Sequence, residues 1–404
     1  KIIDGQLLQM SQDEGIEFLI TDSRKILASP RSLFFAIRGV RNNGHDHIAS
    51  AYDQGVRQFV VEEDIDIKKF PFANFLKSQS SVTALQKLAA HHRSQFRYPV
   101  IGITGSNGKT IVKEWLYQML SSKYKCVKNP GSYNSQIGVP LSVWQMSAQH
   151  ELGIFEAGIS QPGEMEVLHQ IIQPTVGLFT MLGSAHDEGF SSNKEKLREK
   201  WKLFKNCQTI IYCADQGEIN TLLAKESTDG AELIGWGQKP GSNILLKFTN
   251  SNIVTISGKF GDHTFHLPFE DSASRENILH CIVLLLHFGY QQPEIQEKVN
   301  QLKSVPMRLE LKQGINNCQV VDDTYNNDLG GVRIGLEFLE SLNMQKKTLI
   351  LSDVLQSGLT LTELSQQIAS LLKEKGIQKF IGVGFGLHSN QKPFESLSID
   401  KKFY

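Results

Sequence analysis

The sequence predicts an α/β protein of three domains. At 404 residues the chain is too long for one hydrophobic core. Short apolar runs typical of strands alternate with longer segments of helical periodicity, as in parallel-sheet folds. We expect a small N-terminal α/β domain over 1–96, a central parallel-sheet domain containing a phosphate loop (P-loop) over 97–304, and a C-terminal Rossmann-like α/β domain over 305–404.

The first 96 residues show the pattern of a small α/β unit. We expect strands at 18–21, 33–37 and 59–61, and helices at 48–54 and 82–92. Asp22, Ser23 and Arg24 follow the first strand, and Arg38 follows the second. On composition alone, turns explain the glycine and asparagine nearby as well as a ligand does.

The centre of the chain holds its most informative stretch, Thr104-Gly-Ser-Asn-Gly-Lys-Thr110. An apolar run precedes it, and the apolar residues after it recur at helical spacing, which predicts strand, phosphate loop and helix. The helix should begin at Lys109 or Thr110, with Lys109 reaching the outer phosphates and Thr110 able to hold Mg²⁺. The usual spacing would place glycine at position 103, where Ile103 stands. A glycine turn with a chance Gly-Lys-Thr is the alternative.

Polar residues follow the other central strands, which we expect at 152–156, 175–181 and 209–212. Glu156 ends one strand and His186 follows the next, and open α/β sheets bind ligands at such strand ends. A carboxylate and an imidazole beside a triphosphate suggest a divalent metal, with His186 as ligand or base. A histidine in a loop is as readily an ordinary surface residue.

The remainder continues the α/β pattern. We expect a charged helix at 194–204 with a solvated lysine face, a hairpin within 243–269 and a helix at 274–287. Beyond Pro306, strands at 319–321, 348–352 and 380–383 and helices at 332–342 and 361–375 predict another parallel sheet. The tail from Phe385 shows neither helical nor strand periodicity. Because three strands are few for a sheet, we expect further βα units beyond Tyr404, so that this domain is truncated here.

The composition and net charge narrow the possible partners, metal sites and location of the protein. Lys plus Arg and Asp plus Glu are both 42, and this zero net charge argues against nucleic acid as a partner. The five cysteines form no C-x-x-C pair, so neither a disulfide framework nor a zinc site is indicated, and a reducing cytoplasm fits best. The longest apolar run is too short to span a membrane.

Taken together, these motifs resemble the Mur ligase family. The resemblance is carried by the phosphate loop and by five further segments: Asn134 with Ile137-Gly-Val-Pro140, Glu156-Ala-Gly158, Ala185-His-Asp-Glu-Gly-Phe190, Glu276-Asn277 and Asp322-Asp-Thr-Tyr-Asn326. It implies a UDP-sugar-binding N-terminal domain, a central ATPase domain and a closing C-terminal domain. The implied activity is ATP- and Mg²⁺-dependent amide ligation in peptidoglycan precursor synthesis, joining D-Ala-D-Ala to UDP-MurNAc-tripeptide through an acyl phosphate.

The resemblance also implies residue roles. It assigns the nucleotide to Gly105, Asn107, Gly108, Lys109, Thr110, Asn277, Arg308, Asp323 and Tyr325. It assigns the metal to Thr110, Glu156, His186 and a carbamoylated Lys200, with Lys109, Lys200, His186 and Glu156 as the catalytic set. It assigns the UDP-sugar substrate to Asp22, Ser23, Arg24, Arg38, Asn134 and Ser135.

The C-terminal motifs depart from the family pattern. Met307 replaces a usual glycine, and the segments 325–329 and 352–358 differ from the family's motifs where the dipeptide acceptor should bind. The pattern resembles the branch in which the ligase is fused to an alanine racemase, which would follow residue 404.

Four rival functions share parts of this pattern: a sister ligase with another amino-acid acceptor, a folylpolyglutamate-type ligase, a P-loop kinase and a nucleotide-binding regulatory protein. A ligase should release phosphate only with both a carboxylate and an amine, whereas a kinase would phosphorylate a hydroxyl stably.

Overall fold

The computed structural model describes residues 2–25, 29–40, 42–183, 189–224, 230–325, 327–342, 344–355 and 357–404. Within these ranges the strands form four sheets, which lie in three successive parts of the chain. The predicted α/β class with a parallel central sheet is confirmed. No helix in the described ranges is both long and apolar enough to cross a membrane.

The N-terminal part is a five-stranded sheet with helices packed on it. Its elements are β1 Gly5–Gln9, β2 Phe18–Ile20, β3 Ser32–Phe35, α1 Ile48–Asp53, β4 Gln58–Val61, β5 Asn74–Ser78 and α2 Ser81–Arg93. The strand order is β1-β5-β4-β3-β2, with β2 to β5 parallel and β1 antiparallel to β5. The three predicted strands are confirmed, whereas β1 and β5 were not predicted. Phe59 stacks on Phe75 and meets Phe34 edge-on in the core beneath the sheet.

The central part is built on a nine-stranded sheet. Its strands are β6 Val100–Thr104, β7 Cys126–Lys128, β8 Leu152–Glu156, β9 Val176–Phe179, β10 Thr209–Cys213, β11 Glu232–Gly237, β12 Ile244–Asn250, β13 Ile253–Gly258 and β14 His263–His266. Its helices are α3 Lys109–Leu120, α4 Gly138–Val143, α5 Glu164–Ile172, α6 Asn193–Trp201, α7 Gly217–Leu223, α8 Ser272–His287 and α9 Gln292–Asn300. The predicted antiparallel hairpin is confirmed within β12 to β14: β12 pairs parallel with β11, and β13 and β14 then extend the sheet antiparallel.

Strand β6 lies in the interior of this sheet, in the order β14-β13-β12-β11-β10-β9-β6-β8-β7. All five of its residues are buried, as expected of a parallel strand covered on both faces. Helices α3, α8 and α9 pack on one face, and α5, α6 and α7 pack on the other. Because β8 and β9 flank β6 on opposite sides, the chain reverses its winding there, and the carboxyl end of β6 opens at a switch point where ligands bind.

The C-terminal part differs from the predicted single parallel sheet. Its elements are β15 Glu310–Gln313, β16 Gln319–Asp322, α10 Leu329–Ser341, β17 Thr348–Ser352, α11 Leu361–Glu374, β18 Lys379–Val383, α12 Phe385–Ser389 and β19 Asp400–Phe403. The predicted strand at 319–321 is β16, but it pairs antiparallel with β15 in a separate two-stranded sheet. Only β17, β18 and β19 form a parallel sheet.

The tail from Phe385, where the sequence shows neither helical nor strand periodicity, contains α12 and β19. Tertiary contacts hold both of its elements. Asp353 accepts hydrogen bonds from the Gly386 and Leu387 N–H groups at 2.9 and 2.8 Å and so caps α12. Strand β19 is too short and too rich in lysine to show an apolar period, yet it pairs with β18.

We expect Asp353→Ala to lower the free energy of unfolding by about 1 kcal/mol, because α12 loses the cap on its first N–H groups. Thermal or urea denaturation would measure the change. Asp66→Ala is the matched control, because Asp66 forms only an exposed ion pair with Lys69 at 3.7 Å and should change stability by less than about 0.5 kcal/mol. Equal stability of Asp353→Ala and the control would contradict this role.

Candidate active site

The loop between β6 and α3 has the shape of a phosphate cradle. Gly105 and Gly108 both have positive φ, +148° and +85°. A Cβ on Gly105 would lie 2.0 Å from Thr180 Oγ1, so only glycine fits there. Gly105 thus provides the backbone freedom that the usual glycine, replaced here by Ile103, would provide. Helix α3 begins at Lys109, as predicted, and among the residues that the structure describes no side chain caps it. Its first N–H groups are therefore available to an anion.

Two lysines converge on this loop. Lys109 Nζ donates to the carbonyl oxygens of Gly105 and Ser106 at 2.9 and 2.7 Å. Lys200 Nζ, from α6, donates to the same Gly105 oxygen at 3.1 Å. The lysine face of α6 is thus not solvated as composition predicted, because Lys196 and Lys200 are fully buried.

Burial changes the protonation of both amines. It lowers the pKa of Lys109 to about 8, and the Glu156 carboxylate opposes part of that shift. Burial lowers the pKa of Lys200 well below its ordinary value, and the nearby charges of Lys109 and Lys196 act in the same direction. Neutral amine is therefore much more accessible at Lys200 than at a surface lysine.

Glu156 ends strand β8 beside the loop and is completely buried. One carboxylate oxygen, Oε1, accepts from Asn134 Nδ2 at 3.2 Å. Within the described ranges no hydrogen-bond partner reaches the other oxygen, Oε2. A buried carboxylate oxygen of this kind suits a hard cation. His186, the predicted nitrogen ligand, lies outside the described residues.

Two donors in the same region also lack protein partners within the described ranges, Asn107 Nδ2 and Arg308 Nε. Arg308 reaches the central part from the C-terminal part, where its guanidinium lies 4.1 Å from the centre of the Tyr325 ring. Its Nη2 donates to Ser132 Oγ at 3.2 Å. Buried donors without acceptors indicate a site for an acceptor-rich ligand such as a phosphate chain.

A cleft joins these groups. The central part contributes Asn107, Gly108, Ile111, Met181, Ala273, Glu276 and Asn277, and the C-terminal part contributes Arg308, Leu309, Asp323, Asp328, Gly331 and Ile334. Burial raises the pKa of Asp323 to about 6. Two interactions oppose this shift: the hydrogen bond that Asp323 accepts from the Leu309 N–H at 3.3 Å, and the positive charge of Arg308. Asn277 lies against Gly108, where a Cβ would be 2.3 Å from Asn277 Oδ1. The cleft therefore needs both parts of the chain.

Comparison with known proteins identifies the family. The Mur ligase middle domain matches residues 103–285, and the Mur ligase family catalytic domain matches residues 15–96. A UDP-N-acetylmuramoyl-tripeptide–D-alanyl-D-alanine ligase of Borreliella burgdorferi is 30% identical over 353 residues, covering 83% of this chain and 74% of that protein. The chain belongs to the Mur ligase family.

Two further Mur ligases are similar to this chain. The ligase of the same name from Bacillus subtilis is 27% identical over 365 residues, covering 89% of this chain and 78% of that protein. A crystal structure of MurF from Acinetobacter baumannii superposes with a TM-score of 0.84 at 23% identity, covering 100% of this chain and 87% of that one. The second likeness shows that the Mur ligase fold extends along the whole chain.

A second cleft lies between the N-terminal and central parts. Thr21 and Asp22 line one wall, and Ser132, Tyr133 and Ser135 line the other. The structure thus brings Asp22 and Ser135 together, as the Mur ligase resemblance implied. Ser23 and Arg24 adjoin the same wall in sequence.

The other predicted substrate residues lie apart from that cleft's lining. Arg24 forms an exposed ion pair with Asp22 at 2.9 Å, and Arg38 forms one with Glu63 at 2.6 Å. Asn134 turns towards Glu156 in the nucleotide region.

Three residues of this region were not predicted: Ser132, Lys113 and Lys196. Ser132 Oγ lies 3.0 Å from Thr110 Oγ1, and Lys113 is buried beneath the same loop. Lys196 precedes Lys200 by one helical turn, and this spacing could have indicated that both lysines lie on the buried face of α6.

We expect Gly105→Ala to weaken nucleotide binding at least about tenfold, because the new methyl group would collide with Thr180 and displace the loop. Titration with a fluorescent ATP analogue measures this. Gly163→Ala is the matched control, since Gly163 also has a positive φ, +89°, but open space around it. Equal affinity of the two variants would show that the Gly105 conformation is not needed.

Proposed function

We propose that this protein is an ATP-dependent ligase that joins D-alanyl-D-alanine to UDP-N-acetylmuramoyl-tripeptide. One observation carries the proposal: the uncapped α3 terminus, the cations Lys109 and Arg308 and the buried carboxylate of Glu156 converge at one phosphate loop. The two relatives described above bear the name of this activity and match most of the chain.

The nucleotide would occupy the cleft between the central and C-terminal parts. Gly105, Asn107, Gly108, Lys109 and Thr110 would surround its phosphates, and Asn277 would contact the adenine. Arg308, Asp323 and Tyr325 would reach the phosphates and ribose from the C-terminal part. The unpartnered Asn107 Nδ2 and Arg308 Nε support this assignment, since phosphate oxygens would satisfy both donors.

Magnesium fits the same site. Thr110, Glu156, His186 and Lys200 would hold it, and the unpartnered Glu156 Oε2 supports this set. Within the described ranges, no three His, Cys, Asp or Glu side chains cluster as a metal site. We propose Lys200 as a source of a further, anionic ligand. When bound, the metal would neutralise charge on the phosphates.

Lys200 can supply that ligand by carbamoylation. Its depressed pKa favours the neutral amine, which adds to carbon dioxide with loss of one proton and forms an anionic carbamate. The buried position beside Gly105 places this new carboxylate-like group at the loop. A buried amine would thereby become an anionic oxygen ligand.

The chain's own residues explain how a carboxylate could be activated. A carboxylate is a poor electrophile, so the substrate must first take the γ-phosphoryl group and become an acyl phosphate. Lys109 and Arg308 would offset the charge that develops during this transfer, in a region where burial strengthens their effect. The amine of D-alanyl-D-alanine would then displace phosphate and form the amide.

The second cleft would hold the UDP-sugar. Asp22, Ser23, Arg24 and Arg38 would come from the N-terminal domain, and Asn134 and Ser135 from the central one. We propose the division 1–96, 97–304 and 305–404 for the three domains, and the cytoplasm as the location of the reaction, where ATP and the precursor are available.

The test is ADP release with UDP-MurNAc-tripeptide, with and without D-alanyl-D-alanine. We expect release only with both substrates, and Lys109→Ala should lower it by at least about a hundredfold because the phosphates lose a buried cation. A melting temperature near that of the unaltered protein would show that the variant is folded. Stable phosphorylation of a hydroxyl would favour a kinase, and ADP release with another amino acid would favour a sister ligase.

Lys200→Ala should be inactive, and short carboxylates such as acetate should restore part of the activity by occupying the position of the carbamate. Lys194→Ala, at an exposed lysine of the same helix, should behave like the unaltered protein. The measurement is ADP release against acetate concentration. Full activity of Lys200→Ala without acetate would exclude a metal-ligand role.

A further inference from the structure

We infer that Ser132 is a positioning residue that connects Arg308 of the C-terminal part to Thr110 of the phosphate loop. The inference rests on the proposed function, since it concerns how that site is held for phosphoryl transfer. Ser132 Oγ is 3.2 Å from Arg308 Nη2 and 3.0 Å from Thr110 Oγ1. One hydroxyl therefore contacts both a cation and the side chain placed for the metal.

The direction of these hydrogen bonds follows from the chemistry of arginine. A guanidinium can only donate, so Ser132 Oγ accepts from Arg308. The Ser132 hydroxyl keeps its own proton, which it can donate to Thr110 Oγ1. The resulting chain, from Arg308 through Ser132 to Thr110, fixes the separation of two groups that would act on the same phosphates.

Lys113 anchors the backbone of the loop that carries Ser132. Lys113 is completely buried, and its Nζ donates to the carbonyl oxygens of Asn129, at 3.0 Å, and Gly131. Lys113 belongs to α3, the helix that also presents Thr110. The same helix thus holds Thr110 directly and Ser132 through its loop, so the two hydroxyls keep their relative position.

A second anchor ties this loop to Glu156. Asn129 Oδ1 accepts from the Glu156 N–H at 2.7 Å, and Asn129 Nδ2 donates to the Tyr133 carbonyl oxygen at 2.7 Å. The segment 129–134 is therefore fixed at both ends of its turn. Ser132 thus presents a fixed acceptor to Arg308, whose Nε has no hydrogen-bond partner within the described ranges.

The position of Ser132 between the two clefts adds to this argument. Ser132 lines the cleft that contains Asp22, and it contacts Arg308, which lines the nucleotide cleft. A transferring phosphoryl group would have to pass from one cleft towards the other. A residue that sets Arg308 at this junction would act on the rate of transfer rather than on substrate binding.

The experiment measures ADP release by Ser132→Ala at saturating substrates. We expect kcat to fall about tenfold, because one charge-assisted hydrogen bond is lost. The concentration of Mg²⁺ needed for the half-maximal rate should rise. Although Ser132 lines the cleft proposed for the UDP-sugar, its hydroxyl is engaged by Arg308 and Thr110, so the KM for UDP-MurNAc-tripeptide should stay within about twofold of normal. A purely structural role would lower the melting temperature without separating kcat from KM.

Two further variants sharpen the test. Ser132→Thr keeps the hydroxyl and should recover kcat to within about threefold of the unaltered protein. Ser122→Ala is the matched control, because Ser122 also accepts from a cation, Lys298 Nζ at 2.8 Å, but follows the opposite end of α3. It should leave kcat unchanged.

A double-mutant cycle with Arg308→Ala tests the connection itself. If Ser132 acts through Arg308, the double variant should be no more than about twofold slower than Arg308→Ala alone. Losses that simply multiply, or a Ser132→Ala rate equal to that of Ser122→Ala, would overturn the inference. Failure of the unaltered protein to release ADP with both substrates would instead overturn the proposed function.

Discussion

The basic side chains that meet at the phosphate loop impose the main physical constraint on this molecule. Lys109 and Lys200 both donate to the carbonyl oxygen of Gly105, and each lies in surroundings that disfavour its charge. Backbone carbonyls satisfy the hydrogen bonds of an ammonium group but do not neutralise it. A phosphate chain in the cradle would stabilise the charged form of Lys109, so the site favours an anionic ligand.

The same constraint explains why the site is assembled from distant segments. A single short loop cannot enclose several basic side chains, because each needs its own rigid support and partial exclusion of water. Here α3 supplies Lys109, α6 supplies Lys200, and the C-terminal part supplies Arg308. Glu156, at the end of β8, adds a carboxylate of opposite charge. The parallel sheet brings these elements together because its strand ends share one edge.

Much of this could be predicted from sequence, for identifiable reasons. The strand, loop and helix around Lys109 combine continuous apolar runs, glycine and helical periodicity, which are local signals. The burial of Lys200 is not local, because composition cannot show which face of a charged helix is covered. Ser132 was missed because its two contacts come from residues far away in the chain. Strand β19 was missed because its pairing with β18, rather than its own residues, makes it a strand.

The interior position of β6 has a consequence for biosynthesis. Its partners β8 and β9 both follow it in the chain, and Val100 bonds to Thr175, 75 residues later. At a translation rate of about 5–20 residues per second, the apolar β6 emerges from the ribosome several seconds before its second neighbour exists. During that interval its backbone and its apolar side chains are unpaired, which favours association with other nascent chains. The arrangement that places the phosphate loop at the centre of the sheet therefore leaves β6 unpaired during synthesis, which favours binding of the nascent chain by chaperones.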